Sequence, residues 1–160
     1  MSFDRAIEFV LEQEGGYSND PRDPGKETRW GISHAAYPDE DIFHLTLERA
    51  KSIYLRDYWT PIKADQLPDA VAFVLMDAAV NMGVGTAVKC LQRALGVISD
   101  GEVGTQTITY AQAADLKNLL AGFCSERIAI YSSLPTWGTY GRGWTNRAVK
   151  AALEAPSAAV

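Results

Sequence analysis

The chain has few of the residues that usually build metal, redox or disulfide sites. Only 2 of its 160 residues are cysteine and only 2 are histidine. Cys90 and Cys124 form no local motif, which is more typical of buried thiols than of a disulfide, although a pairing between them stays open. His34 and His44 lack the close spacing of metal ligands. The sequence therefore predicts no metal and no cofactor.

Positive charge and long apolar runs are also scarce. Lys and Arg number 15 against 20 Asp and Glu, a net charge of −5, and no basic stripe stands out. This balance argues against nucleic acid as a partner. No segment approaches the roughly 20 apolar residues of a membrane span, so we expect no membrane insertion. Asp4 and Glu8 interrupt any apolar core of a signal peptide, which predicts synthesis in the cytoplasm without one.

The apolar pattern that is present predicts a mainly helical domain. The composition is 47% hydrophobic, and no internal repeat occurs. A helix at about 68–82 is apolar on nearly every side and should be the centre of the fold. A last helix is expected at about 144–153, and short β-compatible stretches lie at 29–32 and 37–42. Three polar residues are placed to cap helices: Thr46, Thr105 and Asp115.

One glutamate stands out at the end of the first predicted helix. Phe3, Ile7 and Val10 follow the spacing of one helical face, and Glu14 falls on that stripe, while Glu8 falls on the far side. Apolar surroundings and the negative end of a helix both disfavour an ionised carboxyl group. This is the environment that a general acid requires. The alternative is that Glu14 simply ends the helix with its carboxylate in water.

A polar loop follows this glutamate after Gly15-Gly16. It contains Asp20, Asp23 and Thr28, and its Pro-Gly steps let the chain fold back toward the helix end. Cleavage of a glycosidic bond needs a group that protonates the leaving oxygen and a second group that activates water or stabilises the developing cation. The alternative for both aspartates is ordinary turn formation.

These motifs resemble those of the family 108 glycoside hydrolases, peptidoglycan muramidases that are common as phage endolysins. The most specific segments are Glu14-Gly15-Gly16-Tyr17, Asn19-Asp20-Pro21, Asp23-Pro24-Gly25, Glu27-Thr28 and Gly31-Ile32-Ser33. Later segments are similar to the central helix and the C-terminal half of that family: 77–83, 91–97, 100–104, Gly143-Trp144 and Arg147. The resemblance covers most of residues 1–153. Lys26 departs from it, since the family usually has a second glycine there.

The resemblance implies a fold and a set of catalytic roles. It implies a lysozyme-like helical domain over 1–153, with a small β hairpin or irregular loop beside the catalytic glutamate and a frayed tail at 154–160. The catalytic half is expected at about 1–85, and a peptidoglycan-binding-like helical half at about 86–153. Glu14 is the implied acid. By analogy with phage-type lysozymes, Asp23 and Thr28 hold the attacking water, with Asp20 as a competitor for the second acid.

Several further side chains are candidates for substrate contact. Aromatic faces stack on sugar rings, and four aromatic residues lie in or near the loops that would frame Glu14: Tyr17, Trp30, Tyr58 and Trp59. Packing is an equal alternative for each of them. Asp77 and Asn81 share one face of the buried helix, where polar groups must be hydrogen-bonded or line a cleft. A structural network and substrate contact are equally favoured there, and Asn81 is the better candidate to face sugar.

The resemblance therefore implies a peptidoglycan hydrolase that cleaves the β-1,4 bond between N-acetylmuramic acid and N-acetylglucosamine, and we expect it to be a monomer. It would be made in the bacterial cytoplasm and act on the wall in the periplasm after release. Three alternatives stay open. They are a lytic transglycosylase, which needs only the glutamate, a wall-binding module without catalysis, and a secretion-associated protein in the same fold.

Overall fold

The computed structural model describes residues 3–19 and 27–156, and most of them are helical. Within these ranges the helices are α1 (Phe3–Gln13), α2 (Leu47–Tyr54), α3 (Asp69–Met82), α4 (Val84–Leu95), α5 (Thr105–Ala113), α6 (Leu116–Ser132) and α7 (Trp137–Glu154). A π-helical turn, Leu55–Trp59, continues α2, and a 3-10 turn, Ala64–Gln66, precedes α3. The predicted mainly α class is confirmed.

A small antiparallel sheet lies after α1. Its strands are β1 (Ser18–Asn19), β2 (Glu27–Arg29) and β3 (Ile32–Ser33), in that order. Thr28 in the middle strand pairs with Ser18 on one side and Ser33 on the other. The expected hairpin near 29–32 is confirmed, with Trp30 and Gly31 forming its turn.

The second β-compatible stretch, 37–42, was wrongly predicted. It forms turns instead of a strand, because its backbone groups bond locally. The Tyr37 N–H donates to Ser33 O at 2.9 Å, and the Glu40 N–H donates to Tyr37 O at 3.1 Å. An extended strand cannot make such short-range bonds, and Pro38 with the acidic residues at 39–41 favours turns over a strand.

The predicted helix starts are confirmed at two of three caps. Thr46 Oγ1 accepts from the Arg49 N–H at 3.2 Å, and Asp115 Oδ1 accepts from the Asn118 N–H at 2.9 Å. Both are ordinary N-cap bonds that satisfy a free amide in the first turn. Thr105 is the first helical residue of α5, and Gly104 takes the cap position without a side-chain bond.

Helix α3 is the centre of the fold, as predicted. Its residues from Ala70 to Ala79 are all buried. It packs against α1, α4, α6 and α7, so the first and last helices meet on it. The division into halves at about residue 85 stays a prediction.

The last helix begins earlier than predicted, at Trp137 instead of Trp144. Gly138, Gly141 and Gly143 lower the helix propensity of this segment, which misplaced its start. Packing of α7 along α6 prevails over that propensity. Trp137, Tyr140 and Trp144 therefore all lie on α7.

Cys90 and Cys124 are both free, in agreement with the prediction of unpaired thiols. Burial raises the pKa of each thiol, which keeps both protonated and unreactive near neutral pH.

Among the described residues, no helix combines the length and the apolar character that crossing a bilayer would require.

Candidate active site

Glu14 directly follows α1 and faces the interior of the fold. Its backbone N–H donates to Val10 O at 3.1 Å, which continues the helical pattern to this residue. Its side chain is 26% exposed. Ile7 and Val10 on the same helix are buried, whereas Glu8 and Glu12 are exposed. The predicted sorting of Glu8 and Glu14 to opposite sides of the helix is therefore confirmed.

The turn between β2 and β3 packs on Glu14. Gly31 there has a φ of +75°, and a Cβ atom at this position would lie 2.9 Å from Glu14 Cγ and would overlap the hydroxyl of Tyr54. The Tyr54 hydroxyl donates to Trp30 O at 3.0 Å. Burial, and then the charge of Glu14, raise the pKa of Tyr54, so its hydroxyl stays a donor. Only glycine fits at position 31.

Arg147 on α7 contacts Glu14 from the other side. Its Nη1 lies 2.9 Å from Glu14 Oε1, and its Nε lies 2.8 Å from Asp77 Oδ1. Asp77 is fully buried and also pairs with Arg127, whose Nη1 lies 2.9 Å from Asp77 Oδ2. Burial lowers the pKa of Arg147, but Asp77 and Glu14 outweigh that effect and raise it overall. The negative charges of two carboxylates, Glu14 and Asp77, are thus matched by the positive charges of two guanidinium groups, Arg127 and Arg147.

The electrostatic surroundings of Glu14 correct one expectation from the sequence. An apolar and electronegative niche was predicted, but Arg147 places a guanidinium group beside the acid, with Nη1 at 2.9 Å from Glu14 Oε1. Asp77 shares this guanidinium group through Arg147 Nε. The sequence pattern could not show the contact, since Arg147 lies 133 positions from Glu14.

Asp77 and Asn81 turn out to have different surroundings. Asp77 belongs to the buried ion network, which favours the structural alternative for this residue. Asn81 is half-buried, and its Oδ1 accepts from the Tyr131 hydroxyl. That hydroxyl also accepts from Arg127 Nη2 at 3.0 Å. Asn81 therefore lies at the end of a chain of contacts that begins at Glu14.

A pocket of about 280 Å³ adjoins this end of the network. It is lined by Asn81, Met82, Thr86, Ile130, Tyr131, Leu134 and Trp144. The Tyr131 and Trp144 rings have centroids 5.3 Å apart. Asn81 is one helical turn beyond Asp77, and Trp144 is one turn before Arg147, so the pocket lies about one turn from the ion network. We call it the Asn81 pocket.

Three of the residues predicted to contact substrate keep exposed surface. Tyr17 is 44% exposed, and its hydroxyl donates to Glu27 Oε1 at 2.7 Å. Trp30 is half-buried, with its indole N–H donating to Leu45 O at 3.3 Å. Tyr58 is half-buried beside the Tyr54 ring. Their predicted contact with substrate stays a prediction.

Trp59 must be removed from that set. It is 3% exposed, its ring packs on Phe3 at 5.6 Å between centroids, and its indole N–H donates to Asp65 Oδ1 at 3.0 Å. A side chain so enclosed offers no face to a ligand. The packing alternative is therefore correct for Trp59.

The second catalytic group was predicted in the polar loop that follows Gly15-Gly16. Asp20, Asp23 and Lys26 lie outside the described residues, so the roles predicted for both aspartates stay predictions. Thr28 is half-buried in the middle strand. Across the described ranges, no group of His, Cys, Asp and Glu side chains is arranged to hold a metal ion.

Three residues have roles at the site that the sequence did not predict: Tyr54, Arg127 and Arg147. Arg127 had the clearest signal, because it lies on the apolar stripe between Phe123 and Tyr131 at four-residue spacing. An arginine on a buried stripe requires a carboxylate partner. Asp77 was the buried acid available to it.

Two family models and a solved structure are similar to this chain. Residues 7–83 match the model of glycosyl hydrolase 108, and residues 86–149 match that of a predicted peptidoglycan domain. A solved structure of Brucella abortus SagA is 33% identical, with a TM-score of 0.85 over 96% of this chain and 92% of that one. No curated protein sequence matches the chain significantly.

The chain belongs to the glycoside hydrolase 108 family. Its lysozyme-like, mainly helical fold is confirmed by the match to SagA. The two matched models together support a peptidoglycan hydrolase as the general class, with peptidoglycan as its partner.

Proposed function

We propose that the protein is an N-acetylmuramidase, which hydrolyses the β-1,4 bond between N-acetylmuramic acid and N-acetylglucosamine with Glu14 as general acid. The observation that carries this proposal is the position of Glu14. Its carboxyl group is partly exposed, and it is held between a glycine turn and Arg147. A glycosidase acid needs such a fixed carboxyl group beside its substrate.

The two oxygens of Glu14 have different roles in this mechanism. Oε1 accepts from Arg147, which fixes the plane of the carboxyl group. Oε2 has no hydrogen bond to the described part of the chain, so we assign to it the proton that passes to the glycosidic oxygen. Arg147 is a positioning residue here, and Asp77 holds Arg147 in turn. After cleavage the ionised Glu14 is stabilised by the same guanidinium group.

The attacking water is assigned to Asp23 and Thr28. Thr28 supports this assignment because it lies on β2, three residues before the turn glycine that contacts Glu14. The hairpin that fixes Glu14 therefore also carries Thr28. If Asp23 lies beside the bond instead, it would act as an electrostatic stabiliser or as a nucleophile. Asp20 is the competing second acid.

Substrate binding is assigned to the partly exposed groups around this centre. Tyr17, Trp30 and Tyr58 supply aromatic surface on the hairpin side. The Asn81 pocket supplies an amide and aromatic walls about one helical turn from the ion network. An aromatic face with a nearby amide suits an N-acetylated sugar.

Product analysis tests the proposed bond. Purified sacculi are incubated with the protein, and the soluble fragments are identified by mass spectrometry, with Glu14→Gln as control. A muramidase leaves reducing N-acetylmuramic acid ends. Fragments with 1,6-anhydro ends would instead establish a lytic transglycosylase. Binding to sacculi without any soluble fragment would establish a wall-binding protein without catalysis.

We also propose that the protein is made in the cytoplasm and acts on the wall in the periplasm after release, as an endolysin does. Fractionation of producing cells, with and without a membrane-permeabilising protein, tests them. The protein should be cytoplasmic until the membrane is opened, and lysis should follow opening. Export without that step would contradict this part.

A further inference from the structure

We propose that a groove between α4, α5 and α6 is a second, non-catalytic site that binds N-acetylglucosamine units of the glycan strand. The inference rests on the proposed action on peptidoglycan, and it adds a location and a ligand class to the match of residues 86–149. We call this groove the Tyr110 groove. All nine residues that line it fall within the matched segment: Ala94, Leu95, Thr109, Tyr110, Ala113, Ala114, Asp115, Asn118 and Leu119.

The size of the Tyr110 groove suits a sugar unit. Its volume is about 440 Å³, compared with about 280 Å³ for the Asn81 pocket. Ligand sites in proteins commonly measure roughly 300–1,000 Å³. Ala94, Leu95 and Leu119 give it an apolar floor, and Leu119 is 4% exposed. An acetamide methyl group can be buried on such a floor.

The rim of the groove supplies the polar and aromatic contacts that a sugar uses. Tyr110 is 50% exposed, so its side chain offers aromatic surface for stacking. Thr109 and Asn118 are also exposed. Within the described part of the chain, the Thr109 hydroxyl, the Tyr110 hydroxyl and the Asn118 side-chain amide make no hydrogen bond. These three groups are therefore available for sugar hydroxyl groups and the acetamide.

Charge selects the glycan over the stem peptide as the occupant. The described residues that line the groove include no Lys, Arg or His, and their one charged member is Asp115. Asp115 Oδ1 is engaged in capping α6. Peptidoglycan stem peptides carry carboxylates, which would need a cationic partner and would be repelled by Asp115. N-acetylglucosamine is neutral and avoids both problems.

The Tyr110 groove shares no residue with the candidate active site. Glu14 follows α1 and is contacted by Gly31 in the hairpin turn and by Arg147 on α7, whereas the groove is lined by residues between 94 and 119. Both can therefore hold segments of glycan at once. A second contact raises the effective concentration of the enzyme at the wall without a new catalytic group.

The first experiment locates a soluble probe. Tri-N-acetylchitotriose is titrated into isotopically labelled Glu14→Gln protein, and backbone amide shifts are followed by NMR. The proposal expects saturable shifts at Leu95, Tyr110 and Asn118, separate from those near position 14. Shifts confined to the hairpin and the Asn81 pocket would overturn it.

The second experiment measures retention on purified sacculi in the same Glu14→Gln background. Tyr110→Ala and Asn118→Ala should each weaken binding by about tenfold or more, since the first removes the stacking face and the second removes a hydrogen-bonding amide. Tyr110→Phe keeps the ring and should retain most of the binding. Gln106→Ala removes an exposed amide from α5 outside the groove, and it should bind like the parent.

Thermal unfolding of each variant shows whether it is folded. If Tyr110→Ala is unstable, the test is made by comparing the binding of Asn118→Ala and Tyr110→Phe with that of the parent. Binding by Tyr110→Ala equal to that of the parent would overturn the proposal. So would self-association of the parent that occupies the groove and is abolished by Tyr110→Ala. If the unmutated protein releases no fragments although the groove binds chitotriose, the proposed hydrolase function fails while this site stands.

Discussion

Arg147 hydrogen-bonds Glu14 at 2.9 Å across 133 positions of the sequence. The contact joins the end of α1 to α7, so the closing helix positions the candidate acid. Arg147 can hold this place because its Nε is fixed by Asp77 at 2.8 Å. The geometry of the site therefore depends on a buried ion network as well as on the hairpin that follows α1.

Arg147→Lys should lower kcat by about 10- to 100-fold with a smaller change in KM. A lysine keeps the charge but lacks the planar group that contacts Glu14 and Asp77 together, and small misplacements of a catalytic group cost about this much. Fragment release from sacculi at several substrate concentrations measures both constants. Arg142→Lys, on the exposed face of the same helix, is the matched control and should match the parent. Equal rates for both variants would refute the positioning role.

Asp77→Asn should lower the free energy of unfolding by about 3 kcal/mol or more. It removes the carboxylate shared by Arg127 and Arg147 and leaves a fully buried guanidinium group uncompensated. Urea denaturation measures this change. Asp41→Asn is the control, because its pair with His44 is exposed, and it should leave stability nearly unchanged. A loss no larger than that of the control would show that the network is not structural.

Gly31→Ala should both destabilise the protein and reduce activity. An alanine would have to adopt a positive φ, at a cost of about 1–2 kcal/mol, and its Cβ would displace Tyr54 or Glu14. Denaturant unfolding and fragment release measure the two effects. Gly138→Ala provides the contrast, since a Cβ there meets open space within α7 and should be neutral or stabilising. Full activity of Gly31→Ala would show that the hairpin turn does not hold the acid.

Local features of the site could be predicted from the sequence. The spacing of Ile7, Val10 and Glu14 predicted that Glu14 lies on the buried side of the first helix, because the helical period alone determines that side. The apolar run of α3 gave the centre of the fold in the same way. The caps at Thr46 and Asp115 depend on one side chain and an amide three residues later, so they too were predictable.

Contacts between distant segments could not be predicted in this way. Arg147 lies on a helix whose glycines obscured its start, and Arg127 was hidden within an apolar stripe. Trp59 was assigned to the substrate because its position in the sequence is close to polar loops, whereas its burial depends on packing against Phe3. Pairing and burial are properties of the assembled helices, and a single sequence shows only the faces that are available.

The role of Glu14 as the acid is tested most directly by the fragment release of Glu14→Gln from purified sacculi, measured together with its binding to them. We expect release to fall by at least about 100-fold, since general acid catalysis contributes about that much or more. Sacculus binding should persist, and the free energy of unfolding should stay within about 1 kcal/mol, because the lost pair with Arg147 is partly exposed. Release by a folded, wall-bound Glu14→Gln protein at a rate near that of the parent would contradict the assignment of Glu14 as the acid.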